Sequence, residues 1–183
     1  LVTPTVDKEI YSNKLQNELA ENAYKFTDKI NGGFGNSQKF PLPSMLNFFL
    51  RFSTENDNIE MKKFVKKTLF KIAQGGINDR VEGGFHRYTV DNMWHIPHFE
   101  KMLYDNGPMI DILCNAYKIT QNSLYLDKIN QTCQWVIEEM QHEQGGFYST
   151  IDADSEHVEG KFYVWTDKEL RDILNTDELK LFK

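Results

Sequence analysis

The apolar residues of this chain fall into stretches of helical period separated by long mixed stretches with no period. Tyr11, Leu15, Leu19, Ala23, Phe26 and Ile30 recur close to every 3.6 residues, with Asp7 in place to cap and Asn31-Gly32-Gly33 to stop the helix. A short apolar helix is predicted from Ser44 to Phe52, carrying Met45, Leu46, Phe48, Phe49 and Phe52. The polar "STENDN" turns the chain into a third helix running to Gln74, with Met61, Phe64, Val65, Leu69 and Ile72 on one side and Gly75-Gly76 at its end. Pro97 is a good first helical residue, so a fourth helix is expected from there, with Phe99, Met102, Leu103, Ile110, Leu113 and Tyr117 as its stripe. A fifth carries Tyr125, Ile129, Cys133, Val136 and Met140, and Thr166 caps a last one with Leu170, Ile173 and Leu174. "GGFYST" and "KFYVWT" are read as the arms of a small β-hairpin around the acidic loop "IDADSEHVEG".

The elements repeat in order. "GGFG" at 32–35, "GGFH" at 83–86 and "GGFY" at 145–148 each follow a long helix, and a loop then leads to a helix that returns. The diglycines are read as helix C-caps. Spacing is irregular, so this is a structural repeat with variable loops. Antiparallel helix pairs repeated this way predict an all-α fold, an α/α toroid. It has an outer ring, an inner ring, and the long loops gathered at the end where inner helices begin. Residues 1–183 are read as one domain, about three helical hairpins or half of such a ring. A bundle or solenoid is the rival.

Composition narrows the partners. A net charge of -6 argues against nucleic acid. Lys62, Lys63, Lys66 and Lys67 recur beside Phe64, Val65 and Leu69, which a solvated helix face explains. No apolar run approaches the ~20 residues of a membrane span. The two cysteines, Cys114 and Cys133, show no metal or redox spacing, which suggests a reducing, cytoplasmic setting. The opening "LVTPTVDKEI" lacks an initiating Met and a basic leader and reads as a piece of something longer.

Candidate chemistry concentrates in "VEGGFHRYTVDNMWHIPHFEKMLYDN", residues 81–106, where acids, bases and histidines mix with aromatics. On a helix from Pro97, His98, Lys101 and Asp105 share one edge and Glu100, Tyr104 and Asp111 the opposite side, so that on an inner helix Glu100 and Tyr104 would face the cavity. His95 and His98 then sit at the mouth beside Trp94, at the positive end of the helix dipole. Lys101 and Asp105 would form an i,i+4 pair. Asp152, Asp154, Glu156 and Glu159 form a second cluster, expected to pair with Arg80, Arg87 or Lys161. The D-x-D spacing resembles a calcium loop, but His157 stands where such a loop needs glycine, so no metal is expected, and no cofactor. Phe85, Tyr88, Trp94, Phe147, Tyr148, Tyr163 and Trp165 lie in or beside the same loops. Rings that stack on sugar C–H faces, beside groups that bond hydroxyls, suit a small carbohydrate or other polyhydroxylated ligand. Rings that only pin down long loops are the plainer alternative.

"GGFGNSQKFP", "GGINDRVEGGFHRYTVDNMWHIPHFEKMLYDN" and "GGFYSTIDADSEHVEGKFYVWT" closely resemble the signatures of the YyaL-type family, the spermatogenesis-associated, thioredoxin-domain-containing proteins. The resemblance covers most of residues 31 to 166. It implies a six-hairpin α/α toroid similar to N-acylglucosamine 2-epimerases and six-hairpin glycosidases, with a thioredoxin-like domain upstream in cis. The chain departs from the family pattern at Gln38, at His157 and at Gly107-Pro108, where a kinked inner helix is expected.

The expected function is therefore carbohydrate-active, of the sugar epimerase or isomerase type. His98 or His95 would remove a proton beside a sugar carbonyl, and the other histidine or Glu100 would return it. Arg87 would steady the enolate and Trp94 stack on the ring, with His86, Tyr88, Tyr104, Tyr148 and Trp165 completing the substrate contacts. Hydrolysis by Asp152 or Asp154 with Glu100 is the alternative. The other is a non-catalytic sugar- or protein-binding toroid accompanying a thioredoxin-like redox domain.

Overall fold

The computed structural model of the chain describes residues 13–182. The proposed cap Asp7 and the stripe position Tyr11 lie outside the described residues. Helix α1 spans Asn13–Tyr24, α2 Pro43–Glu55, α3 Ile59–Gln74, α4 Leu103–Thr120, α5 Ser123–Trp135, α6 Asp167–Ile173 and α7 Thr176–Phe182. Helix α5 runs on as a π-helical turn, Val136–Met140. Strands of two residues each lie in the connecting loops: β1 Tyr88–Thr89, β2 Pro97–His98, β3 Lys101–Met102, β4 Thr150–Ile151, β5 Asp154–Ser155 and β6 Val158–Glu159.

Local chemistry explains most boundaries. Asn58 caps α3 by accepting the Met61 amide at 3.0 Å, and Asn122 caps α5 by accepting that of Leu124 at 3.1 Å. Thr166 and Glu169 form a full capping box on α6. In α3 the buried positions Met61, Phe64, Val65, Thr68, Leu69, Ile72 and Ala73 make one helical stripe. Helix α2 buries Leu46, Phe49, Leu50 and Ser53. The π turn after α5 changes the phase, so that Trp135 and Met140, five apart, are both fully enclosed.

Helix α4 packs against α2 on one side and α5 on the other; α3 packs on α2 and also touches α5. The core between them joins Leu46, Phe49, Phe64, Leu69, Ile72, Phe85, Met109, Ile112 and Leu113. Tyr24, Phe34, Phe49 and Phe64 interlock largely edge to face around its α1 end.

Four expectations are corrected here. Helix α1 ends at Tyr24, so Phe26 and Ile30 are exposed and not part of its stripe. Helix α4 starts at Leu103, because residues 97–102 are drawn out as β2 and β3; it is continuous through Pro108. The arms "GGFYST" and "KFYVWT" do not pair with each other. Thr150–Ile151 pairs with Lys101–Met102, and the hairpin β5–β6 forms inside the acidic loop itself. Gly75 caps the C-terminus of α3 as expected, but the three diglycines that precede phenylalanine are not helix C-caps. Each closes a tight turn in the left-handed region, with φ of 76° and 72° at Gly32 and Gly33, 90° and 79° at Gly83 and Gly84, and 92° and 80° at Gly145 and Gly146. The phenylalanine that follows bridges back across each turn: Thr27 to Phe34, Asn78 to Phe85, Gln141 to Phe147.

Two of these turns share a further pattern, D-x-x-x-G-G-F. The Asp28 carboxylate accepts the amides of Ile30 and Asn31, and that of Asp79 accepts those of Val81 and Glu82. The second oxygen of each meets a lysine from further along the same round. Lys39 reaches Asp28 at 3.0 Å and Lys101 reaches Asp79 at 2.6 Å, both lysine side chains fully buried. The third turn is one residue shorter; there His142 stands in the aspartate's place, and its ring accepts the Gln144 amide at 3.1 Å.

Candidate functional site

The lysine-bearing segments also join one round to the next. Lys39 exchanges two backbone hydrogen bonds of 2.9 Å with Thr89, and Lys101 stands opposite Ile151 in the β3–β4 ladder. Loops distant in sequence are thereby drawn to one rim, where α4 begins.

On that rim Tyr88 lies opposite His98 in the β1–β2 ladder. Their rings stack at 4.9 Å and 20°, and Phe40 stacks on the far side of Tyr88 at 4.7 Å. His98 Nδ1 sits 2.7 Å from Glu159 Oε1, a contact across 61 residues of chain. A carboxylate in that position accepts a hydrogen bond from Nδ1–H, which in the neutral imidazole leaves Nε2 as the acceptor. Next along the loop, Arg87 donates to Glu100 at 3.0 Å, stands 4.0 Å from Asp105, and lies under the exposed Tyr104 ring at 5.9 Å. Burial first, then the Glu100 charge, raises the Asp105 carboxyl above its ordinary range, against the pull of Arg87.

His86 is enclosed behind this rim, edge-on to Phe99 at 5.4 Å and to Tyr163 at 4.9 Å. Burial first, then the Lys101 charge, lowers its pKa to about 4. Trp94 is also fully buried, its indole donating to the Asn31 carbonyl at 3.1 Å and its ring packed on Gly33. It cannot stack on a ligand from there, and the expected stacking role is withdrawn. His86 is enclosed as well, and it lines a small cavity behind the open rim.

The helical face on which His98, Lys101 and Asp105 were grouped does not exist, because 97–102 is extended. Nor does a helix dipole act at His95 and His98. Lys101 pairs with Asp79 and not with Asp105. His95 is exposed, its backbone amide held by Asp91. Tyr148 and Trp165 are half exposed at the third round.

The acidic loop builds a separate cleft of about 250 Å³, lined by Glu82, Glu139, Asp152, Asp154, Phe162 and Tyr163 among others. Glu100 is not among its lining residues, so the sequence reading that set Asp152 or Asp154 against Glu100 finds no shared pocket. Lys161 pairs with Glu156 as expected, while Arg87 turns to Glu100 and Arg80 to the Gln74 carbonyl. Among the described residues no three His, Cys, Asp or Glu side chains converge as a metal site would require. Among them, too, no helix is long and apolar enough to cross a membrane.

Sequence reasoning missed Asp105 as a half-buried carboxyl, and Asp28, Lys39, Asp79 and Lys101 as a repeated buried pairing. The D-x-x-x-G-G-F repeat was the available signal for the pairings.

This fold is shared with solved carbohydrate-active proteins. A sugar epimerase from a ruminal bacterium superposes with a TM-score of 0.63 at 17% identity, over 72% of this chain and 36% of its own. The cellobiose 2-epimerase of Spirochaeta thermophila gives 0.64 at 16%, over 81% and 42%. A family 76 glycoside hydrolase from Bacteroides thetaiotaomicron gives 0.64 at 18%, over 82% and 33%. At such identities the likeness establishes the fold alone: the chain is a segment of an α/α toroid of the six-hairpin type. No protein-family model matches it. Its sequence is 40% identical over 157 residues to spermatogenesis-associated protein 20 of Rattus norvegicus and 39% identical over 157 to that of Homo sapiens, in each case 80% of this chain. The chain is thus homologous to a segment of spermatogenesis-associated protein 20, and it spans about 20% of the length of these relatives.

Proposed function

We propose that this toroid segment carries part of the active site of a sugar epimerase or isomerase. The observation that supports it is the placement of His98. Its imidazole is stacked on Tyr88 and fixed at Nδ1 by Glu159, at a rim it shares with Arg87, Glu100 and Tyr104. In this reading Nε2 of His98 removes the proton from the carbon beside the sugar carbonyl. Arg87, aimed by Glu100, steadies the enolate oxygen. The exposed His95 returns the proton on the other face. The neighbouring folds named as sugar epimerases agree with this chemistry. A thioredoxin-like domain in cis is part of the same proposal, as a separate unit with its own chemistry.

The test is solvent exchange. Full-length protein incubated with aldoses and N-acyl sugars in deuterated water is expected to place deuterium on the carbon beside the carbonyl. Sugar that binds without exchange overturns the reading. A hydrolytic reading draws on the cleft where Asp152 and Asp154 lie beside Phe162 and Tyr163. It predicts new reducing ends from oligosaccharides and no exchange.

A further inference from the structure

A small cavity of about 60 Å³ lies between the approach to α2 and the first turns of α4. Phe40, Pro41, Leu42 and Pro43 wall one side; Phe85 and Met109, both fully buried, are apolar lining; His86, Arg87 and Asp105 complete it. The chain holds this wall in place at a conformational cost, since Leu42 sits in the left-handed region at φ 46° with no side-chain cap on α2.

Two of the lining residues carry enclosed polar atoms with no hydrogen-bond partner in the protein, His86 Nδ1 and Asp105 Oδ2, the latter 4.0 Å from the Arg87 guanidinium. Such atoms are rare in folded proteins, and each costs free energy unless something bonds to it. They belong to different elements, one in the loop before β1 and the other in α4. The volume clears the ~10–15 Å³ that a water needs and falls far below the ~300 Å³ at which whole-ligand pockets begin. So the cavity takes one short arm of a larger ligand, not a sugar ring.

The chemistry of the walls selects the arm. His86 is neutral near pH 7, and a neutral imidazole has one donor and one acceptor nitrogen. A hydroxyl donates once and accepts twice, so a single one meets both atoms whenever either Nδ1 or the Asp105 carboxyl carries a proton. An acyl carbonyl only accepts, and a methyl does neither. One carbon beside Phe85, Met109 and Pro43 with a hydroxyl at its end meets both halves of the lining. We infer that this cavity is the subsite for the hydroxymethyl arm of a hexose, and that the protein prefers hexoses to pentoses on that account. The inference rests on the sugar-binding reading above and adds the substrate class to it.

The test compares sugars that differ only in that arm: D-mannose with D-lyxose and D-glucose with D-xylose, by equilibrium binding to the full-length protein. The hexose of a pair is expected to bind roughly tenfold more tightly. His86→Phe keeps the ring and removes its nitrogens; Asp105→Leu keeps the approximate volume and removes the carboxyl. Each is expected to bring the ratio towards one, and if one variant fails to fold the other still decides. Equal binding of hexose and pentose by the wild type overturns the subsite and leaves the sugar reading standing, as it would if the cavity held only water. A ratio unchanged in a folded variant also overturns the subsite. Absence of binding by all four sugars overturns both.

Discussion

Lys101 places its ammonium 2.6 Å from the Asp79 carboxylate, with no part of the lysine side chain open to solvent. It also bonds the Gly83 carbonyl at 2.9 Å and lies 5.1 Å from the Trp135 ring and 5.2 Å from that of Tyr163. Burial opposes ionisation of Asp79, but the Lys101 ammonium and the Val81 and Glu82 amides outweigh it and hold its carboxyl below the ordinary range. Lys101 belongs to β3, which pairs with the third round, while Asp79 belongs to the turn of the second. One ion pair therefore fixes the rim to the turn beneath it.

Removing one partner of such a pair strands the other in a dry site. Lys101→Met is expected to lower unfolding free energy by about 3–5 kcal/mol, measured by denaturant titration. Lys101→Met combined with Asp79→Leu is expected to cost less than the two single changes added together, because no unpaired charge remains. Additive losses would mean that the two charges are not coupled as the geometry requires.

Gly84 and Gly145 have similar backbone conformations but different surroundings. A Cβ on Gly84 would stand 2.8 Å from the buried Trp135 ring, while one on Gly145 meets nothing within 4 Å. Gly145→Ala is expected to cost about 1–2 kcal/mol, the strain of an L-residue at positive φ. Gly84→Ala is expected to cost clearly more, about 3 kcal/mol or above, because the indole must also move. Thermal unfolding of the two variants separates strain from collision.

Most of the helical layout could be read directly from the chain. Leu46, Phe49, Phe64, Leu69 and Ile72 are core residues because their period is helical, and Thr166 and Asn122 start helices through local bonds that sequence displays. The rim was harder. Pro97 favours a helix start, but Thr89 just before it and Ile151 far along the chain draw 97–102 into strands, and no local period reports them. Lysines are rarely enclosed, so nothing local marks Lys39 and Lys101 as buried; only the position of their aspartates does. Trp94 offered every sign of a stacking residue except burial, which only packing reveals. His98 and Glu159 were both singled out, but in separate clusters, since nothing local says that a β5–β6 hairpin folds back to the first.

His86 gives the fold a specific acid response. With burial foremost and Lys101 second, its folded pKa of about 4 lies below the ~6.5 of an unfolded histidine. Below pH ~6.5 the unfolded chain takes up a proton that the folded chain refuses. The associated stability is complete above that pH and is lost as pH falls from ~6.5 through 4, by about 3 kcal/mol. His86→Phe is expected to flatten this part of a stability–pH curve. Asp28, held at about 2 by the Asn31 amide, Lys39 and the Ile30 amide against its burial, accounts for a further loss at lower pH, from ~3.8 through 2. Asp28→Asn is expected to remove only that second phase.

The His98–Glu159 contact is the arrangement on which the proposed chemistry turns, and it yields a kinetic separation. If His98 is the base, His98→Ala is expected to slow sugar-carbon exchange by about 10²–10⁴-fold, acting on kcat with little change in KM. Glu159 touches no substrate in this scheme; it only fixes which nitrogen of His98 faces the sugar. Glu159→Gln keeps the shape but can offer its amide N–H to Nδ1, which would move the ring proton to Nε2 and silence the base. It is therefore expected to lower kcat in the same direction as His98→Ala but less far, because the amide can also rotate to accept. On the His98→Ala background, Glu159→Gln is expected to have almost no further effect, since there is no imidazole left to orient. Single-turnover exchange on the four proteins measures this directly, and a Glu159 effect that persists without His98 would show that the carboxylate acts on something other than the imidazole.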